Sequence, residues 1–238
     1  MFFALFFASL VYESKMARSW KGNMLYLRWL LLLFFVGSFE FFSKPAQAHP
    51  HEWIDIKTAL IFNDRGRLEK IKMDWLLDEY STAFTMEGME RDAEGNVSEA
   101  SLNELAATIV GNLSEFSYLT TFEPADEVTI EKAVPVKGEL VGIRFNFTFE
   151  LILTEPLDLQ GDKLTYSAYD PLYYIEILHS QDSLAVSLEN APNGCVADLQ
   201  KPNPDEAQVA YAQSLDRGET AEDGLGALFA ERVEISCL

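Results

Sequence analysis

Chemistry enters this chain at His49-Pro50-His51. Two of its three histidines stand there, directly after Ala46-Gln47-Ala48. Ala-x-Ala is the small-residue pattern of signal-peptide cleavage. A cut after Ala48 would place a free α-amine and two imidazoles at the start of the folded chain. On an extended backbone, residues two apart face the same side, ~6–7 Å apart at Cα, so both rings can reach one ion. An N-terminal histidine chelates through its amine and ring Nδ1, and His51 could complete a brace of three nitrogens. Pro50 closes the amino-terminal copper/nickel mode, which needs a deprotonated amide at the second residue. Imidazole suits zinc, copper and nickel alike. The alternative is a terminus that happens to contain histidines.

Other residues compete for roles. Asp55 lies on the side of His51, but ~13 Å along a straight strand, too far to share an ion. His179 is at the end of an expected strand, beside Ser180-Gln181-Asp182, and reads either as a third ligand or as a solvated loop-edge side chain. Glu90, Asp92, Glu94 and Asn96 surround Gly95 in the manner of a calcium loop. Position twelve is Ser101 rather than a bidentate glutamate, so the loop reads as degenerate and calcium is not expected. Tyr169, Asp170, Tyr173 and Tyr174 flank an Asp-Pro turn and could line a cleft; turn and core packing is the plainer reading. Cys195 and Cys237 are the only cysteines, and an intramolecular disulfide is the natural pairing, with a thiolate metal site as its rival. No phosphate loop, nucleophile elbow or acid–base pair stands out, so no reaction is expected.

These residues need a compartment and a scaffold. Residues 1–48 hold two apolar stretches, Met1–Tyr12 and Leu25–Val36, separated by Lys15, Arg18 and Lys21. They read as a signal peptide whose true start is Met16 or Met24; an uncleaved anchor is the alternative. Residues 49–238 then form a single exported, periplasmic domain. Those 190 residues carry 36 acidic and 13 basic side chains, net −23. Such a surface repels nucleic acid and anionic lipid and attracts cations. Neither a nucleic-acid partner nor direct lipid binding after cleavage is expected.

Strands are expected over Trp53–Phe62 and Leu68–Leu77, joined by a turn at Asn63–Gly66. Asp78 should cap a helix over Glu79–Met89, with Tyr80, Ala83, Phe84 and Met86 at helical spacing. Ser98 should begin a second helix running to about Phe116. Strands follow at Glu127–Val134, Leu140–Leu153, Leu164–Tyr169, Tyr173–Leu178, Leu184–Leu188 and Cys195–Leu199. In the second of these, Phe145, Phe147 and Phe149 share a face. Helices over Glu206–Leu215 and Gly224–Ala230 precede a closing strand, Glu231–Cys237. The expected class is α+β: a mainly antiparallel, sandwich-like β domain with an inserted helical pair and C-terminal helices. No β-α-β alternation calls for a parallel sheet.

Several segments together resemble one family: His49-Pro50-His51-x-Trp53-Ile54-Asp55; Trp75 with Asp78-Glu79 and Ala83-Phe84; the calcium-loop-like turn; Tyr169-Asp170-Pro171-x-Tyr173-Tyr174; and Gly226 through Cys237. It is a bacterial family of unknown function labelled an uncharacterised ABC-type transport system periplasmic component. The resemblance implies export by Gram-negative bacteria and an inner-membrane nickel/cobalt-type efflux permease as partner. It supplies no catalytic residues. The expected function is thus a periplasmic accessory that binds a zinc, nickel, cobalt or copper ion for a transport system. The alternatives are a copper histidine-brace redox protein and a partner-binding β module without metal.

Overall fold

A computed structural model describes residues 50–125, 128–181, 184–215, 221 and 224–238. Residues 1–49, with His49 and the expected signal peptide, lie outside the described residues. So does any test of where the chain is cut.

The first hairpin forms as its alternation requires. Strands β1 (Glu52–Phe62) and β2 (Leu68–Leu77) pair antiparallel with Ile56 opposite Trp75. Helices α1 (Glu79–Thr85) and α2 (Glu99–Leu113) follow, capped by the side chains of Asp78 and Ser98. A 3₁₀ turn over Ser114–Leu119 then passes through left-handed φ at Ser117, Tyr118 and Leu119. It ends the second helix earlier than its apolar stripe suggests. The remaining strands are β3 (Thr120–Glu123), β4 (Ile130–Val141), β5 (Arg144–Leu157), β6 (Lys163–Ala168), β7 (Ile175–His179), β8 (Val186–Glu189), β9 (Cys195–Gln200) and β10 (Arg232–Cys237). Helices α3 (Glu206–Ser214) and α4 (Leu225–Phe229) precede the last strand.

One sheet runs β4-β5-β2-β1-β7, with β8 also on β1; the other runs β3-β6-β10-β9. Their inner faces share one core that includes Trp75, Tyr166, Phe145, Phe147, Phe149 and Val233. The three phenylalanines stack in a row at 5.9 and 5.8 Å. The α+β, mainly antiparallel architecture is as the sequence indicates. One edge differs. Strands β7 and β8 both run parallel to β1, so the larger sheet is mixed. That pairing closes over more than a hundred residues and leaves no local sequence signal.

Two further departures have local causes. Strand β4 runs through Pro135 and Gly138, where a break is expected. It is an edge strand, so a proline without an N–H is tolerated there. Gly138 is required by α2, because a Cβ at this position would lie 2.1 Å from the Leu102 carbonyl oxygen. Helix α1 stops at Thr85 and is inverted. Its buried side chains are Ser81 and Thr82, while Tyr80 and Phe84 face outward. The Thr82 hydroxyl accepts the Phe145 N–H at 2.9 Å, which pins the polar side inward.

Candidate metal centre at the mouth of the first strand

His51 immediately precedes β1, and the structure fixes its backbone. Its N–H donates to the Tyr174 carbonyl at 2.8 Å, and the two rings meet at 4.7 Å. Tyr174 is held in turn by Asp170. One carboxylate oxygen of Asp170 accepts the N–H groups of Tyr174 and Ile175, and the other accepts that of Leu172. Beneath this turn, Gly226 approaches so closely that a Cβ there would lie 1.8 Å from the Asp170 carbonyl oxygen. Tyr173 is buried against α4, its ring stacked on Phe229 at 4.1 Å. A satellite cluster of Tyr173, Ala212, Leu215, Ala221 and Leu225 completes the support. Of the tyrosine group, Asp170 and Tyr173 therefore build the turn, and Tyr174 presents its ring to His51. Tyr169 is half-buried, with its N–H on the Leu119 carbonyl.

The other side of the mouth is closed by Asp78. Its N–H donates to the Trp53 carbonyl at 2.9 Å, and its carboxylate accepts the Trp53 N–H at 3.1 Å. It also caps α1 through the Tyr80 and Ser81 N–H groups and the Ser81 hydroxyl. Burial pushes the Asp78 carboxyl up, but these hydrogen bonds outweigh it and hold it below the usual value. Glu52 feels the opposite balance. Burial, then the negative charges of Asp78 and Asp170, raise its carboxyl above the ordinary glutamate value. The charges of Asp78 and Asp170 thus both act on Glu52 at the start of β1, and a negative potential there favours a cation.

The donor set is incomplete by itself. Among the described residues, no three His, Cys, Asp or Glu side chains gather closely enough to hold a metal ion. The His51 imidazole alone is a donor suited to a borderline metal. The nitrogens to complete the set would be those of His49, two residues upstream and outside the described residues.

The remaining candidates go elsewhere. Asp55 accepts Arg144 Nη2 at 2.7 Å, an ion pair on the outer face of the sheet. In the loop after α1, Asp92 accepts the N–H groups of Glu94 and Asn96 and the Asn96 side-chain amide. Arg91 Nη1 occupies the Gly95 carbonyl at 2.9 Å, while Glu90 and Glu94 point into solvent. The loop is closed on itself by an Asx turn. The Asn96 bonds, first of all, hold the Asp92 carboxyl below its usual value. Cys195 and Cys237 form a disulfide across the paired strands β9 and β10.

His179 is neither solvated nor near His51. The parallel register sets Ile175 beside Glu52 and His179 beside Ile56. That places His179 about 16 Å along the strand from the level of His51. It is 3% exposed and its ring points between the sheets. Nδ1 lies 2.9 Å from Glu231 Oε2, which also accepts the His179 backbone N–H at 2.6 Å. Glu231 is 4% exposed. The carboxylate fixes the proton on Nδ1, leaving Nε2 to accept from Thr58 Oγ1 at 3.3 Å. Thr58 and the Tyr166 hydroxyl bond each other at 2.5 Å. Burial pushes the Tyr166 hydroxyl well above the ordinary tyrosine value, partly offset by Thr58. Enclosed on every side, this chain ties the two sheets together. Sequence reasoning missed Glu231, whose only signal was a carboxylate directly before an apolar closing strand.

Together these features define a class: a two-sheet α+β domain with a cross-strand disulfide and a histidine held at the mouth of its first strand. No helix among the described residues is long and apolar enough to cross a membrane. The chain belongs to the family described as "Protein of unknown function (DUF1007)", whose model matches residues 32–237. It is also similar to an uncharacterized protein of Haemophilus influenzae (strain ATCC 51907 / DSM 11121 / KW20 / Rd). The two are 30% identical over 201 residues, covering 83% of this chain and 95% of that protein.

Proposed function

We propose that the protein is a periplasmic accessory of a transition-metal transport system and binds one zinc, nickel, cobalt or copper ion at the start of β1. The observation that carries this reading is the setting of His51. Its backbone is locked to Tyr174, and the negative charges of Asp78 and Asp170 converge on the next residue, Glu52. Asp78 and Asp170 are held by their own hydrogen bonds, but their negative charges fall on half-buried Glu52, and a bound cation would offset that repulsion. His51 would supply one imidazole, and His49 an imidazole and, after cleavage at Ala48, its amine. The disulfide fits an oxidising compartment. The permease partner rests on the family resemblance.

The test begins with the protein purified from cells expressing the full chain. N-terminal sequencing should read His-Pro-His, and elemental analysis should find one first-row transition metal per chain. A start elsewhere, or a metal content indifferent to His51→Ala, would remove the proposal.

A further inference from the structure

The most anomalous surface lies on α1 and the tip of the β4–β5 hairpin. Tyr80 is 86% exposed, Phe84 77% and Ile143 67%, with Val141 and Leu140 exposed beside them. Tyr80 and Phe84 are four apart and share one outward stripe of the helix. Tyr80, Ala83, Met86, Leu140 and Ile143 line a common groove of about 540 Å³ between helix and hairpin. The inversion of α1 sharpens the point. A helix that turns serine and threonine inward and tyrosine and phenylalanine outward leaves its apolar payload for something else to cover.

Charge selects among the possible occupants. From Glu79 to Glu99 the chain carries six acidic residues and one basic, and its net charge is −20. The single base, Arg91, lines the groove with Glu79 and donates to the Gly95 carbonyl, and it is outnumbered six to one by the acids of this segment. A second copy would bring the same negative field, and an anionic lipid surface would be repelled. A groove with a helical ridge on one side and a hairpin tip on the other suits an amphipathic helix, whose apolar anchors recur at three- and four-residue spacing. We propose that this face docks a basic amphipathic helix of a partner protein: apolar side chains seat between Tyr80, Phe84 and Ile143, and lysine or arginine meets the acidic α1–α2 segment. This surface is distinct from the strand mouth and does not depend on metal.

An 18-residue leucine/lysine amphipathic peptide is the probe, with a leucine/glutamate peptide of identical apolar face as control. Fluorescence anisotropy should show saturable binding of the lysine peptide, weakened at least tenfold by Phe84→Ser with Ile143→Ser. Both residues are exposed, so the melting temperature should be unchanged. In the unmutated protein, amide chemical-shift changes on peptide addition should centre on residues 80–84 and 140–143, a readout independent of the variants. Equal binding of both peptides, or lysine-peptide binding that the double variant leaves intact, would overturn the proposal. So would shifts centred elsewhere. Concentration-dependent dimers in sedimentation velocity that the double variant abolishes would assign the face to a second copy. Cosedimentation with phosphatidylcholine vesicles, lost in the same variant, would assign it to lipid.

Discussion

Glu231→Ala should be among the most damaging single substitutions in the protein. The side chain is buried and accepts two hydrogen bonds from His179, one from the backbone N–H and one from Nδ1. Truncation orphans both donors in a place that water does not reach. Each unsatisfied buried donor costs ~1–3 kcal/mol, so the two together cost about 2–6 kcal/mol. With a urea m-value of ~2 kcal/mol/M, the unfolding midpoint should fall by about 1–3 M. Buried Trp75 provides the fluorescence signal. Glu231→Gln retains an acceptor for the backbone N–H and should lose less than half as much. The double variant with His179→Ala should be less destabilised than the sum of the single losses, because the partners are in contact. A midpoint shift below about 0.5 M for Glu231→Ala would refute the reasoning, since it would mean that water replaces the carboxylate at no cost.

Other substitutions probe the supports of the strand mouth. Gly226→Ala should displace the Asp170–Tyr174 turn and cost ~3 kcal/mol or more, read by thermal melting, because its Cβ would meet a backbone oxygen at 1.8 Å. Removing the disulfide by Cys195→Ser with Cys237→Ser opens a loop of 42 residues and should cost about 4 kcal/mol in denaturant unfolding. Glu52 has a raised folded-state value, so the folded chain binds its proton more tightly than the unfolded chain does. Its contribution to stability is therefore fullest below the ordinary glutamate value and is lost as pH rises through the raised one. Glu52→Gln should abolish that fall and raise the melting temperature at pH 7 relative to the parent in metal-free buffer. Asp78 has the opposite sign: its lowered value gives stability that is present at neutral pH and lost as the solution is acidified through it. Asp78→Ala should cost ~1–2 kcal/mol at pH 7 through the lost helix cap, and little at pH 2.

Much of the scaffold was legible where the signal is local. The alternation in Arg144–Phe149 put Phe145, Phe147 and Phe149 on one buried face. Asp78 and Ser98 marked helix starts because their side chains accept the first-turn N–H groups. The Cys195–Cys237 pairing followed from their being the only two cysteines. What was hidden depends on distant partners. Periodicity put Tyr80, Ala83, Phe84 and Met86 at helical spacing without saying which face is buried, and the Phe145 N–H, bonded to the Thr82 hydroxyl, turns Tyr80 and Phe84 outward. The strand Ile130–Val141 reads in the sequence as two pieces, one ending at Val134 and one resuming at Leu140, because the edge position that admits Pro135 and the crossing helix that requires Gly138 cannot be read from neighbours. His179 was read without Glu231, fifty-two residues away. At the candidate site, His51 was visible by its type. The carboxylates that act on Glu52 beside it in the chain come from two distant segments, and only the fold brings them there.

The central claim is a metal ion at the start of β1, and titration calorimetry tests it most directly. Zinc should be titrated into metal-free protein whose N-terminus has been confirmed as His49, and into the same chain with His51→Ala. The account predicts one ion bound per chain, with binding lost in the variant and weakened when any residue precedes His49. No heat of binding in the parent chain, or an affinity that His51→Ala leaves unchanged, would contradict it.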